Sequence, residues 1–169
     1  GIVERVADGL WKVPDDLAER GRQNDAQRLG GVAVELKSLL PIERQIRVIG
    51  ATWLDHRLIE RGAGVADGGF GAEVRRAMDT RADHLVKGGL ARRFGERTVF
   101  ERGLIDTLRR RELDSVGARI AGETGLTYRP TQAGEKIAGV VRQRLGLASG
   151  RFAMIDDGLG FRLVPWASA

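Results

Sequence analysis

The side chains that could carry out chemistry are few in this chain, and none stands in a recognised catalytic spacing. The sequence has no cysteine, two histidines and one tyrosine, Tyr128. A tyrosine nucleophile needs a neighbouring base or metal site, and the segment Thr127-Tyr-Arg-Pro130 has no histidine close to it in sequence. We therefore expect Tyr128 to pack a loop, and we predict no enzymatic activity, metal or cofactor for this segment.

The other residues that could bind a metal ion have simpler structural explanations. His56 and His84 fall on separate predicted helices, and no recognised ligand spacing joins them. Asp156 and Asp157 could ligate a divalent cation. However, Asp156-Asp-Gly158 is also a hairpin-turn sequence, and predicted strands flank it on both sides. We interpret all four as ordinary helix and turn residues.

Arginine is the residue type through which this chain could act. The net charge is +5, and residues 73–111 hold 11 Lys/Arg against 6 Asp/Glu, so the whole excess lies there. Extending this window to Asp114 lowers its excess from five to three. A guanidinium suits phosphate recognition, which favours a nucleic-acid face. A solvated, salt-bridged helical surface explains the same count equally well.

The elements that must position these arginines begin with a central helix. Its apolar residues recur at helical spacing from Val74 to Val86, and Gly88-Gly89 ends it. The spacing leaves three arginines on the other faces of the helix: Arg75, Arg76 and Arg81.

A basic hairpin follows this helix. Residues 90–100 predict two short strands with a turn at Gly95. Phe94 and Phe100, both in this hairpin, are the plausible candidates in the chain for stacking on bases, and we include Phe94 among the expected DNA contacts. A helix followed by a basic hairpin is typical of the recognition helix and wing of a winged-helix unit. The arginines near the tip of the hairpin are Arg92, Arg93 and Arg97.

The next helix, predicted from apolar spacing between Leu104 and Ile120, carries an arginine triplet on its outer faces. Such a run either solubilises a helix or contacts a DNA backbone, and both interpretations stay open. The triplet consists of Arg109, Arg110 and Arg111.

The N-terminal part predicts a second hairpin and two helices. Residues 1–14 alternate around Asp8-Gly9 as a hairpin does, and they resemble residues 89–100 closely enough to indicate a weak internal repeat. Helices are predicted over residues 31–40 and 42–59, separated by Pro41, and the glycine-rich residues 62–71 predict a loop.

The C-terminal part predicts three strands, at residues 135–145, 150–156 and 160–165. Three antiparallel strands suggest an SH3-like or OB-like partial barrel, whose closing strands would follow Ala169.

The predicted fold class is therefore α+β, with a winged-helix-like centre, a basic hairpin and a small antiparallel β unit. We expect three domains: residues 1–61 with the N-terminal hairpin and helices, residues 72–121 as the basic unit, and residues 131–166 as the β domain. No apolar run reaches the ~18 residues of a membrane span, and no secretory signal is recognisable. We expect a cytoplasmic segment of a longer protein, with no membrane partner.

Four segments carry a family resemblance that spans nearly the whole chain. They are Gly50-Ala-Thr-Trp-Leu-Asp55, Gly69-Phe-Gly-Ala-Glu-Val-Arg75, Arg110-Arg-Glu-Leu-Asp114 and Ser149-Gly-Arg-Phe-Ala-Met-Ile-Asp-Asp-Gly-Leu-Gly-Phe161, with Leu163-Val-Pro-Trp166 after the last. In this order they resemble the C-terminal region of Vir/Tra-type relaxases of proteobacterial conjugative elements.

The resemblance implies a parent protein whose N-terminal nuclease nicks one strand at an origin of transfer and travels with it through a type IV secretion channel. The tyrosine nucleophile and the histidine metal site of that family have no match in this segment. We expect a non-catalytic accessory region that binds the DNA backbone near the origin of transfer, on single or double strands. The candidate contacts are Arg75, Arg76, Arg92, Arg93, Phe94, Arg97, Arg109, Arg110 and Arg111.

A hypothesis from a different class stays open. The chain could be a protein-interaction module, or carry a translocation signal, that docks the relaxase on the coupling protein of the secretion machinery. The basic segment favours DNA binding, whereas the balanced charge elsewhere suits a protein partner.

Overall fold

The computed structural model describes residues 38, 40–132 and 134–166, together with the backbone of residues 4–7 and 10–12. The chain divides into two compact units, Gly1–Lys37 and Ser38–Ala169. In the predicted division, residues 42–59 belong with the N-terminal hairpin, whereas here they fall in the second unit with all later elements. In the described residues, no helix is both long and apolar enough to cross a membrane.

The first unit contains the N-terminal hairpin that the sequence predicts. Strand β1 (Glu4–Ala7) pairs antiparallel with β2 (Leu10–Lys12), and the register is irregular between Arg5 and Ala7. The predicted helix over residues 31–40 lies almost entirely outside the described residues.

The second unit confirms the α+β class, with a two-stranded and a three-stranded antiparallel sheet. Its elements in chain order are α1 (Ile42–Gln45), α2 (Trp53–Ile59), α3 (Phe70–Lys87), β3 (Ala91–Phe94), β4 (Arg97–Phe100), α4 (Leu104–Thr124), β5 (Val140–Leu147), β6 (Gly150–Asp156) and β7 (Phe161–Pro165).

The prediction of one helix over residues 42–59 was wrong, because this stretch forms two short helices. Thr52 is the N-cap of α2 and forms a capping box with Asp55. The Asp55 carboxylate accepts hydrogen bonds from the Thr52 backbone N–H at 2.7 Å and from the Thr52 hydroxyl at 2.8 Å. Just before it, Gly50 lies against the Glu112 carboxylate, since an added Cβ would come within 2.2 Å of it. Thr52 itself has an extended backbone, with φ −116° and ψ 170°, so the chain leaves the helical path between α1 and α2.

The expectation that Arg81 lies on an outer face of α3 was also wrong. Arg81 and Asp55 are both fully buried, and the guanidinium binds the carboxylate through two nitrogens, at 2.8 and 2.9 Å. Its remaining N–H groups donate to the carbonyls of Ile46, Val48 and Gly50. A buried arginine is tolerated here because all five donors have acceptors.

Helix α4 connects two apolar clusters, because its two halves bury different faces. Leu104 and Leu108 pack in a cluster with residues of α3 and β3, such as Leu85. The second half contributes Ile120 to a cluster with Phe161 and other residues of the three-stranded sheet. This arrangement leaves Arg110 and Arg111 exposed, on the outer side of the helix where the sequence predicts them.

The three-stranded sheet has the order β5-β6-β7, with β6 in the centre. The strands are those predicted, but the first begins at Val140 and not at residue 135. One edge of the sheet, β7, is covered by residues 127–131: Phe161 exchanges backbone hydrogen bonds with Thr127 and Arg129, each 2.9 Å long. Strand β5 forms the opposite edge, and most of its residues are exposed.

Glu112 ties the β5–β6 turn to the helices. Its nearly buried carboxylate accepts hydrogen bonds from the backbone of Ala148 at 2.8 Å and of Ser149 at 2.9 Å. The Ser149 hydroxyl in turn accepts one from the backbone of Ala51 at 2.8 Å. Three of the segments that carry the family resemblance therefore meet at one place, where they hold helices and sheet together.

Candidate nucleic-acid interface

The β3–β4 hairpin is the best-defined part of the predicted DNA-binding surface. Its strands pair antiparallel and are joined by a two-residue turn, Gly95-Glu96. Gly95 has a φ of +59°, a conformation that other residues adopt only with strain. This requirement explains why the sequence predicted the turn position correctly.

The outward face of this hairpin alternates arginine with apolar side chains. Arg92 lies opposite Val99, and Phe94 lies opposite Arg97. All four are exposed, including 63% of Phe94 and 53% of Val99. The guanidinium groups of Arg92 and Arg97 make no hydrogen bond or ion pair with any other described residue, so these two residues are held only by the backbone pairing of the strands. We call these four residues the outward hairpin face.

The opposite face of the hairpin belongs to the protein interior. Ala91 is buried, and Phe100 packs against the same cluster. Arg93, predicted as a DNA contact, lies on this side, where its guanidinium pairs with Asp83 of α3. The alternation of side chains along a strand therefore separates Arg93 from Arg92 and Arg97.

On helix α3, the predicted contacts Arg75, Arg76 and their neighbours do not form a basic face. Arg75 donates to the carbonyl of Val65 at 2.6 Å and pairs with Asp67 at 2.9 Å, which engages it with the loop before α3. Arg76 is exposed, and its guanidinium has no partner among the described residues. The charged residues on the exposed side of α3 are three acidic and two basic: Glu73, Asp79 and Asp83 against Arg76 and Lys87.

The arginine triplet on α4 divides in the same way. Arg109 pairs with Asp106 one turn earlier, at 3.3 Å. Arg110 and Arg111 are exposed and, within the described part of the chain, make no ion pair. Of the predicted contacts, Arg76, Arg92, Arg97, Arg110 and Arg111 thus have no guanidinium partner among the described residues, and the hairpin supplies the two that share one face with an aromatic ring.

Sequence reasoning missed a groove beside the hairpin and the arginines around it. The groove has a volume of about 640 Å³ and runs along β4, between the end of α2 and the start of α4. Arg61 and Arg102 line it together with Arg97. Only the fold brings these three segments together, since Arg61 is separated from Arg102 by the whole of α3 and the hairpin.

The histidines and aspartates offer no metal site in the part of the chain that the structure describes, where no three His, Asp or Glu side chains come together suitably. Partial burial, followed by the charge of Arg81, lowers the pKa of His84. Asp156 and Asp157 accept hydrogen bonds from the backbone of their own turn, which lowers the pKa of each carboxyl. This is the turn role that the sequence indicated.

Tyr128 packs closely against helix α4. Its ring lies over Gly117, where an added Cβ would come within 2.6 Å of it, and 5.5 Å from the ring of Phe161. Burial, reinforced by the nearby Asp114 carboxylate, raises the pKa of Tyr128 to about 12. The raised pKa disfavours the phenolate form.

Comparison with known families places the chain in one of them. The family model described as "Protein of unknown function (DUF3363)" matches residues 1–169, so the chain belongs to the DUF3363 family. No curated protein and no solved structure matches it.

Proposed function

We propose that this chain is a non-catalytic, DNA-binding accessory region of a conjugative relaxase and that its outward hairpin face grips the phosphate backbone. The observation that carries the proposal is the pair of exposed arginines, Arg92 and Arg97, whose guanidiniums have no partner among the described residues and which alternate with the exposed Phe94. Guanidinium groups bind phosphates, and an aromatic ring beside them can stack on a base. The relaxase setting rests on the sequence resemblance.

The order of elements supports a winged-helix-like unit, in which α2 and α3 are the helical pair and the β3–β4 hairpin is the wing. In such units the second helix commonly enters the major groove. Here the exposed side of α3 carries more acidic than basic residues, and phosphates flank the groove on both sides. We therefore infer that the wing makes the main contact and that α3 does not enter the groove.

The test is fluorescence anisotropy with labelled single- and double-stranded oligonucleotides across a salt series. Arg92→Ala combined with Arg97→Ala is expected to weaken binding about ten-fold or more at low salt. For a single strand, the slope of log K against log salt concentration should become less steep by about 1.4, because each lost phosphate contact contributes about 0.7 to that slope.

The matched control is Arg75→Ala combined with Arg93→Ala. It also removes two positive charges, but these belong to guanidiniums that already bind Asp67 and Asp83. A general electrostatic attraction would weaken equally in both double variants, and that outcome would refute a specific hairpin contact. Failure of the unaltered chain to bind DNA at low salt would refute the proposal as a whole.

A further inference from the structure

The groove along β4 has an apolar lining that is partly open to solvent. Its aliphatic residues include Ile59, which is 49% exposed, and Val99, which is 53% exposed, with Leu58 and Ile105 deeper. A volume of about 640 Å³ lies in the range of sites that enclose several side chains of a ligand. Exposed aliphatic side chains in a concave surface are typical of a binding site for apolar groups.

The rim of the groove is basic. Arg61, Arg97 and Arg102 line it, and among the described residues Glu101 is the only acidic one that does. The three guanidiniums are exposed, and none has an acidic partner among the residues that the structure describes. The groove therefore combines an apolar floor with an excess of positive charge, which complements a ligand that is both aliphatic and acidic.

The backbone of β4 presents an edge along the same groove, and this edge pairs with none of the described strands. The Glu101 amide donates to the Leu90 carbonyl at 3.0 Å, so these two residues form a hydrogen-bonded pair. Because such pairs alternate in an antiparallel ladder, the peptide groups of Thr98 and Phe100 point away from β3. An open strand edge is a template for another strand.

We infer that this groove binds an extended, acidic segment of a partner protein, which adds as a strand to the edge of β4. Alternate residues of an extended chain point to opposite sides, so aliphatic side chains can lie on Ile59 and Ile105 while carboxylates face Arg61 and Arg102. Nucleic acid suits the groove less well. Bases stack on aromatic rings, and Phe100, the only aromatic residue that lines the groove in the described part of the chain, is half-buried.

The proposal concerns a surface other than the outward hairpin face, although Arg97 and Val99 belong to both. Its test is anisotropy of a fluorescein-labelled octapeptide of alternating leucine and glutamate, titrated with the full chain. Two control peptides are used. One has lysine in place of glutamate, and the other is N-methylated at alternate residues so that it cannot pair with a strand edge. Both are expected to bind at least about ten-fold more weakly, since charge and backbone pairing are each required.

Variants of the chain locate the site. Arg61→Gln and Arg102→Gln are each expected to weaken peptide binding about two- to five-fold, the effect of losing one exposed ion pair. Ile59→Glu should weaken it more than ten-fold, and its exposure allows the chain to keep its melting temperature. Arg119→Gln is the control, because this arginine pairs with Glu123 on α4 and does not line the groove.

Two results would overturn the inference. One is equal binding of the glutamate and lysine peptides. The other is an unaltered chain that binds oligothymidylate but not the peptide, together with weaker oligothymidylate binding by the Ile59→Glu and Arg102→Gln variants. That result would assign the groove to nucleic acid. Arg92→Ala separates the two proposals, because Arg92 does not line the groove: it should weaken DNA binding and leave peptide binding unchanged.

Discussion

Replacing Arg81 with methionine is expected to destabilise the second unit by about 3–5 kcal/mol, the usual cost of breaking a buried ion pair on one side. The substitution removes five hydrogen bonds. It leaves the fully buried Asp55 carboxylate with Thr52 as its remaining partner. It also leaves three backbone carbonyls without this donor, and each unpaired buried polar group costs about 1–3 kcal/mol. Relaxation of the surrounding structure keeps the total below the sum of these costs.

The measurement is urea unfolding followed by far-ultraviolet circular dichroism. Arg76→Met on the exposed side of the same helix is the control, expected within about 0.5 kcal/mol of the unaltered chain. Arg81→Lys keeps the charge but has three donors in place of five, so an intermediate loss is expected. The stability of the Arg81→Lys variant can be measured even if the methionine variant does not fold.

A double variant checks the assignment to the ion pair. Asp55→Asn combined with Arg81→Met should lose less stability than the sum of the losses in the two single variants. In the double variant, no buried charge at these two positions is left unpaired. The reasoning would be refuted if Arg81→Met unfolded at the same urea concentration as Arg76→Met, since that is how an exposed arginine behaves.

Two further predictions concern the contact between Tyr128 and α4. The ultraviolet absorbance of this single tyrosine should titrate near pH 12. Because its pKa is raised above the usual 10.0, the associated stability is complete below pH 10 and is lost as pH rises toward 12; a midpoint near 10 in the folded chain would contradict the packing. Gly117→Ala should cost about 1–3 kcal/mol through overpacking against the tyrosine ring, whereas Gly122→Ala on the same helix, where an added Cβ meets nothing within 4 Å, should stabilise by up to about 1 kcal/mol. Equal effects in thermal unfolding would show that the ring does not occupy the space above Gly117.

The parts of the fold that follow from neighbouring residues could be predicted from the sequence. The β3–β4 hairpin follows from Gly95 between two short β segments, and the β6–β7 turn follows from Asp156-Asp-Gly158. The start of β5 could not be placed in this way. Val140 already pairs with Asp156, the last residue of β6, so residues 135–139 lie beyond the end of that strand, and no other described strand lies opposite them, although their polar and apolar side chains follow a suitable order.

The candidate interface could be predicted only in part. The sequence identifies the basic hairpin, but it cannot tell which arginines remain available. Arg93 is not available to DNA because it forms an ion pair with Asp83 on α3. Arg75 is not available because it forms an ion pair with Asp67 in the loop before its helix. The groove rim, with Arg61 and Arg102, is assembled from segments that are far apart in the chain.

The sequence by itself determined the α+β class, the hairpins and the arginine-rich composition of the central segment, because turn geometry and side-chain periodicity act over a few residues. Only the tertiary structure decided the roles of individual charges. Arg81 binds Asp55, 26 residues away, and Glu112 binds the turn at Ser149, 37 residues away. A charged residue can be buried only where the folded chain supplies its partners, and no local pattern specifies where that will be.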